Sequence, residues 1–96
     1  MSIKIGDFLF EGPFNEINNI EDYAGVYVII DYRNNEYKLL DCGESLKIKS
    51  RILNNCKNNI WDKCAQGELM YAVFYTAERF EVEKKIRNKF FLPCSV

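Results

Sequence analysis

A chain of 96 residues is long enough for one compact domain, spanning residues 1–96, and for little else. It contains no histidine, which excludes Ser-His-Asp and Cys-His catalysis and His-ligated zinc. The net charge of −1, from 13 basic and 14 acidic side chains, lacks the basic excess that is typical of nucleic-acid-binding proteins.

The first half of the chain predicts β-structure. Residues Ile3–Phe10 are typical of a short edge strand, which the Gly12-Pro13 pair should end. The β-branched and aromatic residues of Ala24–Tyr32 predict a central strand, apolar enough to be covered on both faces. Two asparagines then form a turn into the returning strand Glu36–Cys42, and Gly43 is expected to end that strand.

The second half alternates helix, strand and helix. Ser45 is a suitable N-cap for a helix that runs to about Asn58. The alternating residues of Glu68–Tyr75 predict a further strand, and Thr76 should cap a last helix over Ala77–Phe90. This order of elements predicts a small antiparallel or mixed sheet with helices packed on it, an α+β fold.

No apolar run approaches the roughly 20 residues that are needed to span a bilayer, and the first residues lack the apolar centre of a signal peptide. We therefore expect a cytoplasmic protein that does not enter a membrane. The cysteines show no C-x-x-C spacing, and in the cytoplasm they are expected to be free thiols, mostly buried as small hydrophobes. They are Cys42, Cys56, Cys64 and Cys94.

Three side chains are candidates for chemistry. Glu83 lies at the margin of an apolar stripe on the last helix, where a carboxylate needs a partner or a metal; the ordinary alternative is an i,i+4 pair with Arg87. Arg51 borders the apolar face of the middle helix, so it is either a surface arginine or a phosphate-binding guanidinium. Tyr27, in the central strand, is either a core residue or a phenol that orients or deprotonates water.

With their neighbours, these residues resemble the GIY-YIG nuclease domain, from about Glu11 to the C-terminus. The matching features, in chain order, are Gly25-Val26-Tyr27, Asp41-Cys42-Gly43, Arg51, Glu83 and the ending Pro93-Cys94-Ser95. The resemblance implies a small three-stranded central antiparallel sheet flanked by helices. It also implies hydrolysis of DNA phosphodiester bonds with one divalent metal, Mg²⁺ or Mn²⁺.

By this resemblance, Glu83 holds the metal, Arg51 binds the phosphate, and Tyr27 is the base or the water-orienting group. Such chemistry needs no histidine, because the metal acidifies water and offsets developing negative charge. The stretch from residue 47 to 63 has five basic side chains and one acidic one, which is either an ordinary solvated surface or a local basic face. Further substrate contacts are expected at Asp41, Gly43, Lys47, Lys49 and Asn55.

The chain departs from the family pattern at three positions. Asp41 stands in place of the second motif's tyrosine, Asn55 in place of a histidine or tyrosine, and Ser95 in place of an asparagine. With the acidic pI of 5.4, these departures keep a second hypothesis open, in which a protein of this fold has lost efficient catalysis and binds nucleic acid or a protein partner through the same cleft. DNA affinity would then depend in part on a partner.

Overall fold

In the computed structural model, which describes residues 1–55 and 58–95, a five-stranded antiparallel sheet carries helices on both faces. The strands lie in the order β1-β2-β5-β3-β4, so β4 forms one edge of the sheet. They are β1 Ser2–Ile5, β2 Phe8–Phe14, β3 Gly25–Arg33, β4 Glu36–Ser45 and β5 Glu68–Tyr75. The helices in the described ranges are α1 Ile48–Leu53, α2 Asn58–Cys64 and α3 Arg79–Lys89, with a 3-10 turn at Ile17–Asn19.

The sheet has five strands rather than the three that were expected, and that expectation was therefore wrong. The residues that were taken as one edge strand form a hairpin, because Gly6, with φ +61°, turns the chain between β1 and β2. Gly12-Pro13 does not end β2, which runs on to Phe14 and pairs with β5. A register shift between Glu11 and Phe14 accommodates the proline, which has no amide hydrogen to donate.

The predicted double-sided burial of the central strand is confirmed. Val26, Val28 and Ile30 on β3 point into one core, which α3 covers through Val82 and Ile86. The intervening side chains point into a second core on the opposite face, which α1 and α2 cover. Tyr27 and Ile29 of β3 lie in this second core, where they pack with Ile48 and Ile52 of α1 and Trp61 of α2.

The middle helix is shorter than predicted. It begins at Ile48 rather than just after Ser45, which remains in β4 and accepts a hydrogen bond from the Lys47 amide at 3.0 Å. It ends at Leu53, because Asn54 turns its side-chain amide back to a helix carbonyl, a local bond that competes with helix continuation. The part of the expected helix at positions 56 and 57, including Cys56, lies outside the described residues.

Two of the cysteines are not free thiols, contrary to expectation. Cys64 of α2 and Cys94 near the C-terminus form a disulfide, which fastens the last residues to the helix that covers the second core. Cys42 is a buried free thiol, as predicted, and burial raises its pKa to about 12. None of the helices within residues 1–55 and 58–95 is long and apolar enough to cross a membrane.

We expect Asp31→Ala to lower the free energy of unfolding by about 2 kcal/mol, because it leaves two backbone amides without their acceptor. The carboxylate of Asp31 accepts hydrogen bonds from Gly67 at 2.8 Å and from Gln66 at 3.0 Å, which join β3 to the loop before β5. Urea denaturation measures the change, with the exposed Asp7→Ala as the control. Equal midpoints for the two variants would contradict this account.

Candidate functional site

A cavity of about 180 Å³ lies along the outer edge of β4, between α1 and α3. Its wall includes six of the side chains and backbone positions that the sequence singled out, namely Tyr27, Asp41, Gly43, Arg51, Asn55 and Glu83. Tyr27 and Arg51 come from the face of the sheet that α1 covers, whereas Glu83 comes from α3 on the other face. They meet because β4 is an edge strand, so side chains from both faces can reach around it.

The Tyr27 ring lies across Gly43, its partner on β4. A Cβ at Gly43 would lie 2.2 Å from the Tyr27 hydroxyl oxygen, a distance that no side chain tolerates. Gly43 was expected to end the strand, but β4 continues to Ser45. The glycine is needed instead for the space that it leaves, through which the phenol reaches the edge cavity.

The Tyr27 phenol is buried, with 4% of its surface exposed. Burial raises the pKa of Tyr27, and the nearby Arg51 guanidinium offsets part of the rise. The Asn55 side-chain amide donates a hydrogen bond to the Tyr27 hydroxyl at 3.2 Å, so Asn55 contacts this phenol directly. A neutral phenol in this setting is suited to orienting a water or a phosphate oxygen rather than to removing a proton.

Asp41 is buried and forms part of the internal scaffold of the cavity. Its Oδ1 accepts the Cys42 amide at 2.8 Å, and its Oδ2 accepts the indole nitrogen of Trp61 at 2.9 Å. Trp61 is fully buried and meets the Tyr27 ring edge-on, with 6.4 Å between ring centroids. Asp41 therefore links β4 to α2 and lies behind the phenol, and the substrate contact expected of it stays a prediction.

Glu83 forms the i,i+4 ion pair with Arg87. The sequence predicted this pair as the ordinary alternative to a metal-binding role for Glu83. The Arg87 Nε lies 3.5 Å from Glu83 Oε2, and another nitrogen of the same guanidinium lies 3.9 Å from Asp41 Oδ1. Arg87 also donates hydrogen bonds to the Cys42 carbonyl and to the Ser95 hydroxyl. Ser95 is therefore tied to the cavity through Arg87.

Sequence reasoning missed several residues of the site. Glu44 lines the cavity and is ion-paired with Arg79, whose guanidinium lies over the Phe80 ring, 4.3 Å from its centroid. Trp61, the lone tryptophan, supports the site through its hydrogen bond to Asp41. Glu44 and Arg79 are 35 positions apart, and Asp41 and Trp61 are 20 positions apart. No local sequence pattern therefore pointed to either of these two contacts.

The two lysines predicted as substrate contacts do not line the cavity. Lys47 lies exposed at the start of α1, and Lys49 is half-buried on the same helix. They lie within one helical turn of Arg51, so they contribute positive charge to its surroundings rather than to the cavity wall.

The donor set is a sparse one for a metal. The described ranges, 1–55 and 58–95, contain no group of three or more His, Cys, Asp or Glu side chains placed to share an ion. Glu83 is the carboxylate of the cavity that is best placed for this, because its ion pair with Arg87 is long, at 3.5 Å, whereas Glu44 is hydrogen-bonded to Arg79 and Asp41 is buried. A single carboxylate fits Mg²⁺, which keeps several waters and often takes its other ligands from a bound phosphate.

Comparisons with models of protein families, with characterised proteins and with solved structures each found no match for this chain.

We expect Gly43→Ala to cost about 2 kcal/mol of stability or more, because the added methyl group overlaps the Tyr27 ring. A double-mutant cycle with Tyr27→Ala tests the cause by chemical denaturation. Removal of the ring should make Gly43→Ala nearly neutral, which would give a large coupling energy. If the losses of stability of the two single variants simply add in the double variant, the strain of Gly43→Ala does not come from contact with Tyr27.

Asp22→Asn should destabilise the protein at pH 7, and its effect should shrink as the pH falls below 3.8. Asp22 accepts the Ser50 hydroxyl at 2.6 Å and the Ser50 amide at 2.9 Å, which anchors α1 next to Arg51. These bonds lower the pKa of Asp22 below 3.8, so the carboxylate stabilises the fold above 3.8 and ceases to do so as the pH falls through the lowered value. Urea midpoints of the two proteins measured from pH 7 to pH 2.5 should converge; a difference independent of pH would refute the charge-based explanation.

Proposed function

We propose that the chain is a divergent relative of the GIY-YIG nucleases and hydrolyses phosphodiester bonds of DNA at the β4-edge cavity with a divalent metal. The observation that supports this most is the convergence of Tyr27, Arg51 and Glu83 on one cavity from three different elements. The three residues are 56 positions apart from first to last along the chain, so their meeting is a product of the fold.

In this proposal the Arg51 guanidinium binds the phosphate that is to be cleaved. Arg51 is exposed at the cavity, and its planar group matches two phosphate oxygens. The neighbouring Tyr27 hydroxyl, whose pKa burial raises further above its ordinary value, is protonated and donates to a phosphate oxygen or orients the attacking water. The Asn55 amide holds that hydroxyl in place.

Glu83 is the residue that would hold Mg²⁺ or Mn²⁺, with water and a substrate oxygen as further ligands. A bound cation of this kind lowers the pKa of a water molecule and offsets the negative charge of the transition state. The contribution of the protein is to aim the Glu83 carboxylate at the same cavity as Arg51, while Asp41 and Trp61 keep the wall behind the phenol rigid.

A second candidate function is a binding module for nucleic acid or a protein partner. It is favoured by the ion pair between Glu83 and Arg87, which engages the carboxylate already in the protein alone. In that case Arg51 would still bind a phosphate or an acidic side chain in the cavity, without cleavage.

Nicking of supercoiled plasmid DNA in the presence of Mg²⁺ or Mn²⁺ tests the proposal. We expect Arg51→Ala to reduce the rate by about 10²-fold to 10³-fold, because it removes a donor to the phosphate. Glu83→Gln should reduce the rate to background, and Tyr27→Phe should retain part of it.

The matched control for the metal ligand is Glu81→Gln, on the same helix but exposed and outside the cavity wall. It should nick at the wild-type rate. Binding of a labelled oligonucleotide, followed by fluorescence anisotropy, separates the two functions. Binding that requires Arg51, with no cleavage in either metal, would reject the nuclease and favour the binding module.

A further inference from the structure

The Arg87 guanidinium joins four groups around the outer edge of β4. It bonds to the Cys42 carbonyl and the Ser95 hydroxyl, and it lies 3.5 Å from Glu83 and 3.9 Å from Asp41. No motif of the sequence marked this residue as part of a site. It lies beside Glu83, the acid of α3 that lines the cavity.

The contacts of Arg87 differ in kind. Those to Cys42 and Ser95 are hydrogen bonds from the two terminal nitrogens, and they hold the guanidinium without help from Glu83. The contact to Glu83 is a longer ion pair between side chains that are 36% and 23% exposed, which is a weak interaction in water. Glu83 can therefore leave the pair while Arg87 stays where it is.

Because the Arg87 guanidinium lies 3.5 Å from Glu83, its positive charge opposes the binding of a metal cation to the same carboxylate. At about 5 Å in water, a guanidinium and a divalent ion repel each other by enough to change an affinity about tenfold. The same charge holds the empty carboxylate in the cavity. Arg87 therefore affects the binding of a cation in two ways. It orients the Glu83 carboxylate, and it weakens the bond between that carboxylate and the cation.

We propose that Arg87 is a positioning residue that acts as a latch on Glu83, holding the carboxylate until a divalent cation displaces it. This inference depends on the metal-binding role of Glu83 in the proposed function. Its consequence is that the protein binds the cation more weakly than Glu83 alone would allow. Removal of the charge at position 87 should release the carboxylate and tighten the binding.

Calorimetric titration with Mn²⁺ alone, without DNA, measures this directly. We expect Arg87→Gln to bind Mn²⁺ about tenfold more tightly than the wild type. Arg87→Lys keeps the charge and should bind about as the wild type does. Glu83→Gln should abolish the binding in the wild-type and the Arg87→Gln backgrounds alike.

The matched control is Lys85→Gln, which removes a positive charge from the same helix but on the wall of a different cavity. It should leave the Mn²⁺ affinity unchanged, and thermal unfolding checks that each variant is folded. An Arg87→Gln variant that is folded and binds Mn²⁺ equally or more weakly, or not at all, would overturn the latch. Failure of the proposed function has a different signature, since Mn²⁺ would then bind as described while plasmid DNA stays intact.

Discussion

The outer edge of β4 is the feature on which the site depends. An edge strand leaves backbone groups unpaired, and a protein must cover them. Here the Leu40 carbonyl accepts the Cys94 amide at 2.9 Å, the Cys42 amide donates to the Asp41 side chain at 2.8 Å, and the Cys42 carbonyl accepts Arg87. The groups that satisfy this edge are the same groups that line or support the cavity.

This arrangement explains how a small domain can bring chemistry from both faces of its sheet to one place. A strand in the middle of the sheet would separate α1 from α3, whereas an edge strand lets their side chains meet around it. Gly43 completes the opening, because a side chain there would occupy the space of the Tyr27 phenol. The disulfide between Cys64 and Cys94 fastens the C-terminal segment that covers the edge next to the cavity.

Patterns that are local in sequence predicted the central strands and the i,i+4 geometry of Glu83 with Arg87, since both depend on neighbouring residues. The five-stranded sheet was not predictable in this way. Gly12-Pro13 carries a strong turn signal, and only pairing with the distant β5 shows that the strand continues. The bond between Trp61 and Asp41 likewise spans 20 positions, and no periodic pattern encodes it.

The charges of the cavity favour a ligand that brings both signs. Among residues 1–55 and 58–95, the wall carries the carboxylates of Asp41, Glu44 and Glu83 and the guanidinium groups of Arg51 and Arg87, and Arg79 pairs with Glu44 from outside. A phosphate alone would meet the carboxylates of the wall, and a divalent cation alone would meet its two guanidinium groups. A cation bridged to a phosphate meets both kinds of group with its opposite charge. The chain is nearly neutral, so the positive charge that attracts a phosphate would come in part from the metal. The cation and the phosphate would then each strengthen the binding of the other.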